Sequence, residues 1–323
     1  MARRRSPTIS IWWLALIRRR DCGSAPRPGQ VGLFAAIGFD DAVAGAGAAP
    51  VVTPDPWREW RRATPARLAL GRVGTGMPTD ETLRFGWAHA MARDAIHAAL
   101  DVEALAGRLT AQGWTVERVR SQAADRATYL RRPDLGRRLD AGDAARLREG
   151  AARAAEGAAC EVCIVIGDGL SSLAVERHAA PLLAALRPHL PADTRFAPVV
   201  IATQARVALA DEVGEAFGAR LSVMLVGERP GLSSPDSLGI YLTHTPRRGR
   251  HDAERNCISN VRPAGLASDA AAFKLAWLMR EALRRGATGI ALKDESDLAV
   301  LESAPRSDRA DAIMVAPTSR RHP

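Results

Sequence analysis

From Cys160 onward, short and continuously apolar runs alternate with stretches of helical period, and this alternation constrains the fold more than any other feature. Cys160–Ile166, Ala197–Ala202 and Leu221–Val226 are apolar along most of their length, which predicts strands covered on both faces. Leu173–Leu186, a segment from about Glu212 to Phe217, and Ala270–Arg285 carry helical spacing, the last with Phe273, Trp277 and Leu278 inward. The pattern predicts an α/β fold: a mainly parallel, Rossmann-like sheet with helices on both faces, closed by a short strand at Gly289–Leu292. Upstream the spacing is mostly helical. Thr64-Pro65 marks a short helical entry, Pro78–Glu81 opens a longer helix through Leu83, Trp87, Ala90, Met91 and Ile96, and Val102–Gln112 and Ala141–Ala155 follow. The expected organisation is a poorly ordered extension over 1–55, a helical region over 56–157, an α/β domain over 158–295 and a flexible tail over 296–323.

The net charge of +9 resembles a nucleic-acid signature until it is located. Residues 1–30 carry +6 and residues 296–323 are balanced, which leaves +3 for the 265 residues between. So small a surplus gives no electrostatic footprint for DNA or RNA. No run approaches the ~20 apolar residues of a bilayer span. Ile11–Ile17, between two Arg triplets, lacks a convincing cleavage site for export. Ile9, Trp12, Trp13, Leu16 and Ile17 form one helical stripe there, with Ile11 and Leu14 on the other side; the readings are a short packaging helix, or a disordered leader or mistaken start codon. Four cysteines are too few and too scattered for a disulfide scaffold, which points to a reducing cytoplasm. Cys160 and Cys163 have redox or zinc spacing, yet three residues apart on a strand they should face opposite ways, as two small core residues.

Ligands of such sheets sit at the carboxyl ends of strands, which directs attention to the turns at 167–172, 203–207 and 227–239. Gly167-Asp-Gly-Leu-Ser-Ser172 lacks the third glycine of a dinucleotide fingerprint, and Leu173 stands where a nucleophile elbow needs glycine. There is no P-loop and no H-E-x-x-H. A nicotinamide oxidoreductase therefore survives as fold analogy only, and a free-standing ligand-binding module is the non-enzyme alternative. Gln204–Glu212, Val226–Gly239 and Asp252–Asn260 instead offer small residues, backbone donors and a single carboxylate to a large, amide-rich ligand.

Thr64-Pro-Ala-Arg-Leu-Ala-Leu-Gly-Arg72, Ala92-Arg-Asp-Ala-Ile-His97, Asp125 through Arg138, Asp168-Gly-Leu-Ser171, Gly227 through Gly239 and Asn256-Cys-Ile-Ser-Asn260 together resemble the light subunit of ethanolamine ammonia-lyase, in matching order from about residue 51 to 295. The resemblance implies a hetero-oligomer in which a separate TIM-barrel large subunit converts ethanolamine to acetaldehyde and ammonia, with adenosylcobalamin between the subunits. It implies cytoplasmic ethanolamine catabolism, which in some bacteria is packaged in microcompartments. Cobalamin contacts carry over to Val207, Glu228 and Cys257; no catalytic residue and no metal ligand carries over to this chain. The D-x-H-x-x-G motif, whose His replaces the cofactor's own base on cobalt, is absent, as base-on binding implies. By residue type alone, Glu228 equally fits a turn cap, and Val207 and Cys257 fit core positions. The doublets Arg131-Arg132 and Arg137-Arg138 read as a solvated face or as a docking surface. Gly167 stands where the family often has Ser or Ala, and Ala205 and Ala210 stand where it commonly has glycine.

Overall fold

The computed structural model describes residues 51–64, 66–154 and 160–297, and their strands form one six-stranded sheet in the order β1-β3-β2-β4-β5-β6. The strands are β1 (Val116–Arg120), β2 (Val162–Gly167), β3 (Val199–Thr203), β4 (Leu221–Gly227), β5 (Leu238–His244) and β6 (Asn256–Val261). The helices are α1 (Thr79–His97), α2 (Val102–Ala111), α3 (Arg126–Arg131), α4 (Pro133–Gly136), α5 (Ala141–Ala154), α6 (Ser172–Leu186), α7 (Leu209–Ala216) and α8 (Ser268–Arg285). The readings made of residues 1–50 and of the tail beyond residue 297 lie outside the described residues.

The α/β class and the covering of both faces hold. Strand alternation sends Val162, Ile164 and Ile166 of β2 into a core shared with α2, α6 and α8, while Cys163 and Val165 face Leu147 of α5 and Leu209 and Val213 of α7. Cys160 precedes the strand and packs beside the same cluster as Cys163, so the expected opposite facing does not occur. The sheet is parallel across β1, β3, β2 and β4, then antiparallel across β4, β5 and β6. β5 is thus the reversed strand, and both β5 and β6 fall in or next to segments read as loops. β6 buries only Ile258 and Val261, a spacing that hides period-2 alternation, and the β5–β6 register shifts between Leu238 and Ile240. β1 escaped notice because its five residues mix two valines with three charges.

The expected strand at Gly289–Leu292 is a single 3-10 turn over Gly289–Ala291. The Gly289 N–H donates to the Asn256 side chain at 2.9 Å instead of to a neighbouring strand. The short helical entry likewise lies upstream of Thr64: it is a 3-10 turn at Pro56–Arg62, capped by Asp55, whose side chain accepts from the Trp57 N–H at 2.9 Å. In α8, Trp277 and Leu278 are buried and Phe273 is half-buried against His189. In α1 the buried stripe is Glu81, Ala88, Ala92 and Ala95. Its large apolar residues face outward, Leu83 68% and Trp87 71% exposed.

Candidate functional site

Because β2, β3 and β4 run parallel, the residues following Gly167, Thr203 and Gly227 emerge on one rim. The rim can close tightly only where side chains are missing: Gly169, at φ 60°, lies against the backbone of Gly227, with no room for a Cβ on either. Leu170 N–H donates to Gly227 O at 2.9 Å, and Ser171 caps α6 while donating its hydroxyl to Pro235 O at 2.7 Å. The first loop is thereby fastened to the third.

Asp168 fastens it to the second. Its carboxylate is buried and accepts the N–H groups of Gln204 and Ala205, both at 2.9 Å, which holds Gln204 at a left-handed φ of 54°. Burial pushes the Asp168 pKa up, opposed by those two N–H groups and by Arg126, whose nearest nitrogen is 3.7 Å away. Arg126 donates to Ile96 O and Gly169 O, both at 2.7 Å, so the end of α1 is joined to the same loop.

A cleft of about 410 Å³ opens beside these loops. Its lining combines the apolar Leu170, Val207 and Val226 with the charged Arg206, Glu228 and Arg229. The chain has only two tyrosines, and both, Tyr129 and Tyr241, line this cleft. Tyr129 is buried, donates to Ala205 O at 3.2 Å, and has the guanidinium carbons of Arg126 and Arg206 over its ring at 4.8 and 4.6 Å from the centroid. Burial, with Asp168 nearby, pushes its phenol up to about 12. The Nε of Arg206 and one terminal nitrogen of Arg126 are buried without a hydrogen-bond partner among the described residues.

Val207 and Glu228 thus line one cleft although they follow different strands. Cys257 does not line the cleft; it lies on β6 directly across from Tyr241, which does. The Cys257 residue is exposed, yet partial shielding of its sulfur from water and the nearby Glu228 raise the thiol pKa. Burial raises the Tyr241 phenol as well. Neither group is an activated nucleophile at neutral pH; the cleft is furnished for binding. Among the described residues no group of three or more His, Cys, Asp or Glu is placed to hold a metal ion, and no helix is long and apolar enough to cross a membrane. Tyr129, Arg126 and Asp168 carry much of this geometry; the sequence places them within the Asp125–Arg138 and Asp168–Ser171 motifs without marking them as site residues. The scarcity of tyrosine was the available signal.

The Arg doublets divide their roles. Arg132 is spent on Asp134, at 3.0 and 2.7 Å, and Arg138 on Glu212 of α7, while Arg131 and Arg137 remain toward solvent.

A family model described as Ethanolamine ammonia-lyase light chain (EutC) matches residues 54–293. The ethanolamine ammonia-lyase small subunit of Azotobacter vinelandii is 54% identical over 253 residues, 78% of this chain and 93% of that protein. The corresponding protein of Bradyrhizobium diazoefficiens is 55% identical over 249 residues, 76% of this chain and 94% of the other. That of Pseudomonas syringae pv. tomato is 51% identical over 258 residues, 80% and 89% of the two chains.

Proposed function

The chain belongs to the ethanolamine ammonia-lyase light-chain family and is a lyase subunit, and we propose that it helps hold adenosylcobalamin against a TIM-barrel large subunit that converts ethanolamine to acetaldehyde and ammonia. The observation that carries this reading is the convergence of Val207, Glu228 and Tyr241 on one cleft beside the carboxyl ends of β2, β3 and β4, with Cys257 outside its lining but across from Tyr241 on β6.

The donor set fits an amide-rich corrin with a nucleotide arm. Glu228 accepts from a corrin amide or a ribose hydroxyl, Val207 and Leu170 give apolar contact, and Arg206 and Arg229 supply donors. A cleft of about 410 Å³ is at the low end for pockets of drug-sized ligands, roughly 300–1,000 Å³, and a corrin with a nucleotide arm is larger than those. It would enclose one side of the cofactor and leave the rest to the partner. When bound, adenosylcobalamin supplies the radical chemistry; the residues of this chain bind and orient, and the chain alone turns over no ethanolamine.

The partner surface is the outward face of α1. Leu83, Trp87 and Met91, with Leu232, Pro235, Arg67 and Arg84, line a groove of about 990 Å³, and Trp57 and Trp60 are exposed on the 3-10 turn that Arg61 ties to Glu81 of α1. An apolar surface carrying several tryptophans is typical of an interface. Cys160, Cys163 and Cys257 are all free thiols, in keeping with a cytoplasmic enzyme.

The test is co-expression with the large subunit and titration with adenosylcobalamin. Glu228→Ala is expected to cost about 1.5–3 kcal/mol of cofactor binding, one charge-assisted hydrogen bond, without disturbing assembly. Cys257→Ser should cost less. Unchanged affinity in the assembled Glu228→Ala complex would falsify the contact.

A further inference from the structure

We infer that Ser237 is a positioning residue for Glu228: its hydroxyl, with the backbone N–H of Asn260, fixes the carboxylate in the cleft, while Gly239 keeps the space behind it open. The inference rests on the cobalamin role proposed for Glu228.

The Ser237 hydroxyl donates to Glu228 Oε2, and the Asn260 N–H is shared between Oε1 at 3.4 Å and Oε2 at 3.3 Å. Asn260 sits at a left-handed φ of 59°, held there as its carbonyl accepts from Leu266 N–H at 2.8 Å. The Glu228 N–H donates to Ser237 O at 2.9 Å, so the two residues are tied through backbone as well as side chain. A Cβ on Gly239 would stand 3.0 Å from Oε1 and 3.1 Å from Cγ of Glu228. The carboxylate therefore has donors on two sides and a glycine behind it. A carboxylate accepts at about four sites, so capacity remains for a ligand in the cleft that Glu228 lines. A long, flexible side chain is thus ordered by the fold before a ligand arrives, and binding does not bear that entropy loss. Ser237 is only 5% exposed, which leaves it acting through Glu228 and not by touching the ligand.

The experiment measures the dissociation constant of adenosylcobalamin by equilibrium dialysis in the dark, without ethanolamine, on complexes co-expressed with the large subunit. Ser237→Ala is expected to weaken binding about five-fold, the usual consequence of one lost hydrogen bond. In a Glu228→Ala background the same substitution should change nothing further, a coupling that a merely structural serine would not show. Gly239→Ala removes no donor but pushes the carboxylate aside, and should likewise weaken binding several-fold only while Glu228 is present. Gly239→Ala decides the matter if Ser237→Ala does not assemble. If Glu228→Ala weakens binding while Ser237→Ala and Gly239→Ala leave it unchanged, the positioning role is wrong and the Glu228 contact stands. If Ser237→Ala weakens binding equally with and without Glu228, the serine acts elsewhere and the inference fails. Unchanged affinity in Glu228→Ala itself removes the contact and its positioning together.

Discussion

Gly167 and Ala205 share the space of a single methyl group: a Cβ on Gly167 would lie 3.0 Å from the Cβ of Ala205 and inside contact of the Met224 side chain. The two departures noted in the sequence, glycine at 167 and alanine at 205, therefore offset each other across β2 and the loop after β3. Gly167→Ala is expected to destabilise the chain by about 1–3 kcal/mol through overpacking, and Ala205→Gly in the same chain to recover part of that. Urea unfolding of the single and double variants checks it. A neutral Gly167→Ala would mean that Met224 yields freely and the two sites are uncoupled.

Arg255 and Asp211 form a buried ion pair at 2.7 Å, each side chain 2% exposed, with Arg255 also donating to the Thr243 hydroxyl at 3.1 Å. The pair joins α7, which follows Val207, to the segment that leads into Cys257. Removing one partner strands the other charge in the core, so Arg255→Leu should cost about 3–5 kcal/mol. Replacing both with apolar residues should cost much less. Equal losses in the single and double variants would show that the charges themselves are not at issue.

Leu83→Asp and Trp87→Asp change residues that are already exposed, and the circular dichroism of the isolated chain should stay the same. Association with the large subunit should be lost, since a central interface tryptophan commonly contributes about 2 kcal/mol or more. Size-exclusion chromatography of the co-expressed pair reads this directly. Normal complexes from both variants would move the docking surface away from α1.

His178 of α6 is buried, with its Nε2 3.6 Å from Asp236 and Arg177 bonded to the same carboxylate. Burial holds its pKa below the ordinary value, against the opposing pull of Asp236. The unfolded chain then binds the proton more tightly than the folded one. Stability contributed by this group is present above the unfolded value of about 6.5 and is lost as pH falls below it. The urea midpoint should fall more between pH 7.5 and 5.5 in the wild type than in His178→Gln. His244, also held low by burial and by Arg220 and Arg250, is common to both proteins and cancels in the comparison. Parallel pH profiles would exclude His178 as the source.

What the sequence revealed was the part of the fold in which each strand is apolar on both faces. β2, β3 and β4 and helices α6, α7 and α8 could be read because burial on both sides leaves continuous apolar runs. β6 was hidden because Cys257, Ser259 and Asn260 are exposed and Asn256 bonds the turn at Gly289–Ala291, so the composition of a loop marks an edge strand. The stripe Leu83, Trp87, Met91 gave the right helix, but periodicity reports a shared face and not whether that face meets the chain's own core. Val207, Glu228 and Cys257 came from motif resemblance. Val207 and Glu228 meet because β2, β3 and β4 run parallel, whereas the β4–β5 reversal, which no local pattern announces, puts Tyr241 in the cleft and Cys257 across from it.

That reversal also bears on how the cleft can vary. Residues 228–237 leave the sheet at Gly227 and re-enter it at Leu238, its direct partner on β5. Lengthening this wall leaves both strands in register, whereas insertions at 168–171 or 204–208 would displace α6 or α7. One side of the recess can be recut over evolution while the other two stay fixed. Differences in ligand fit among members of the family are expected to accumulate first along that side.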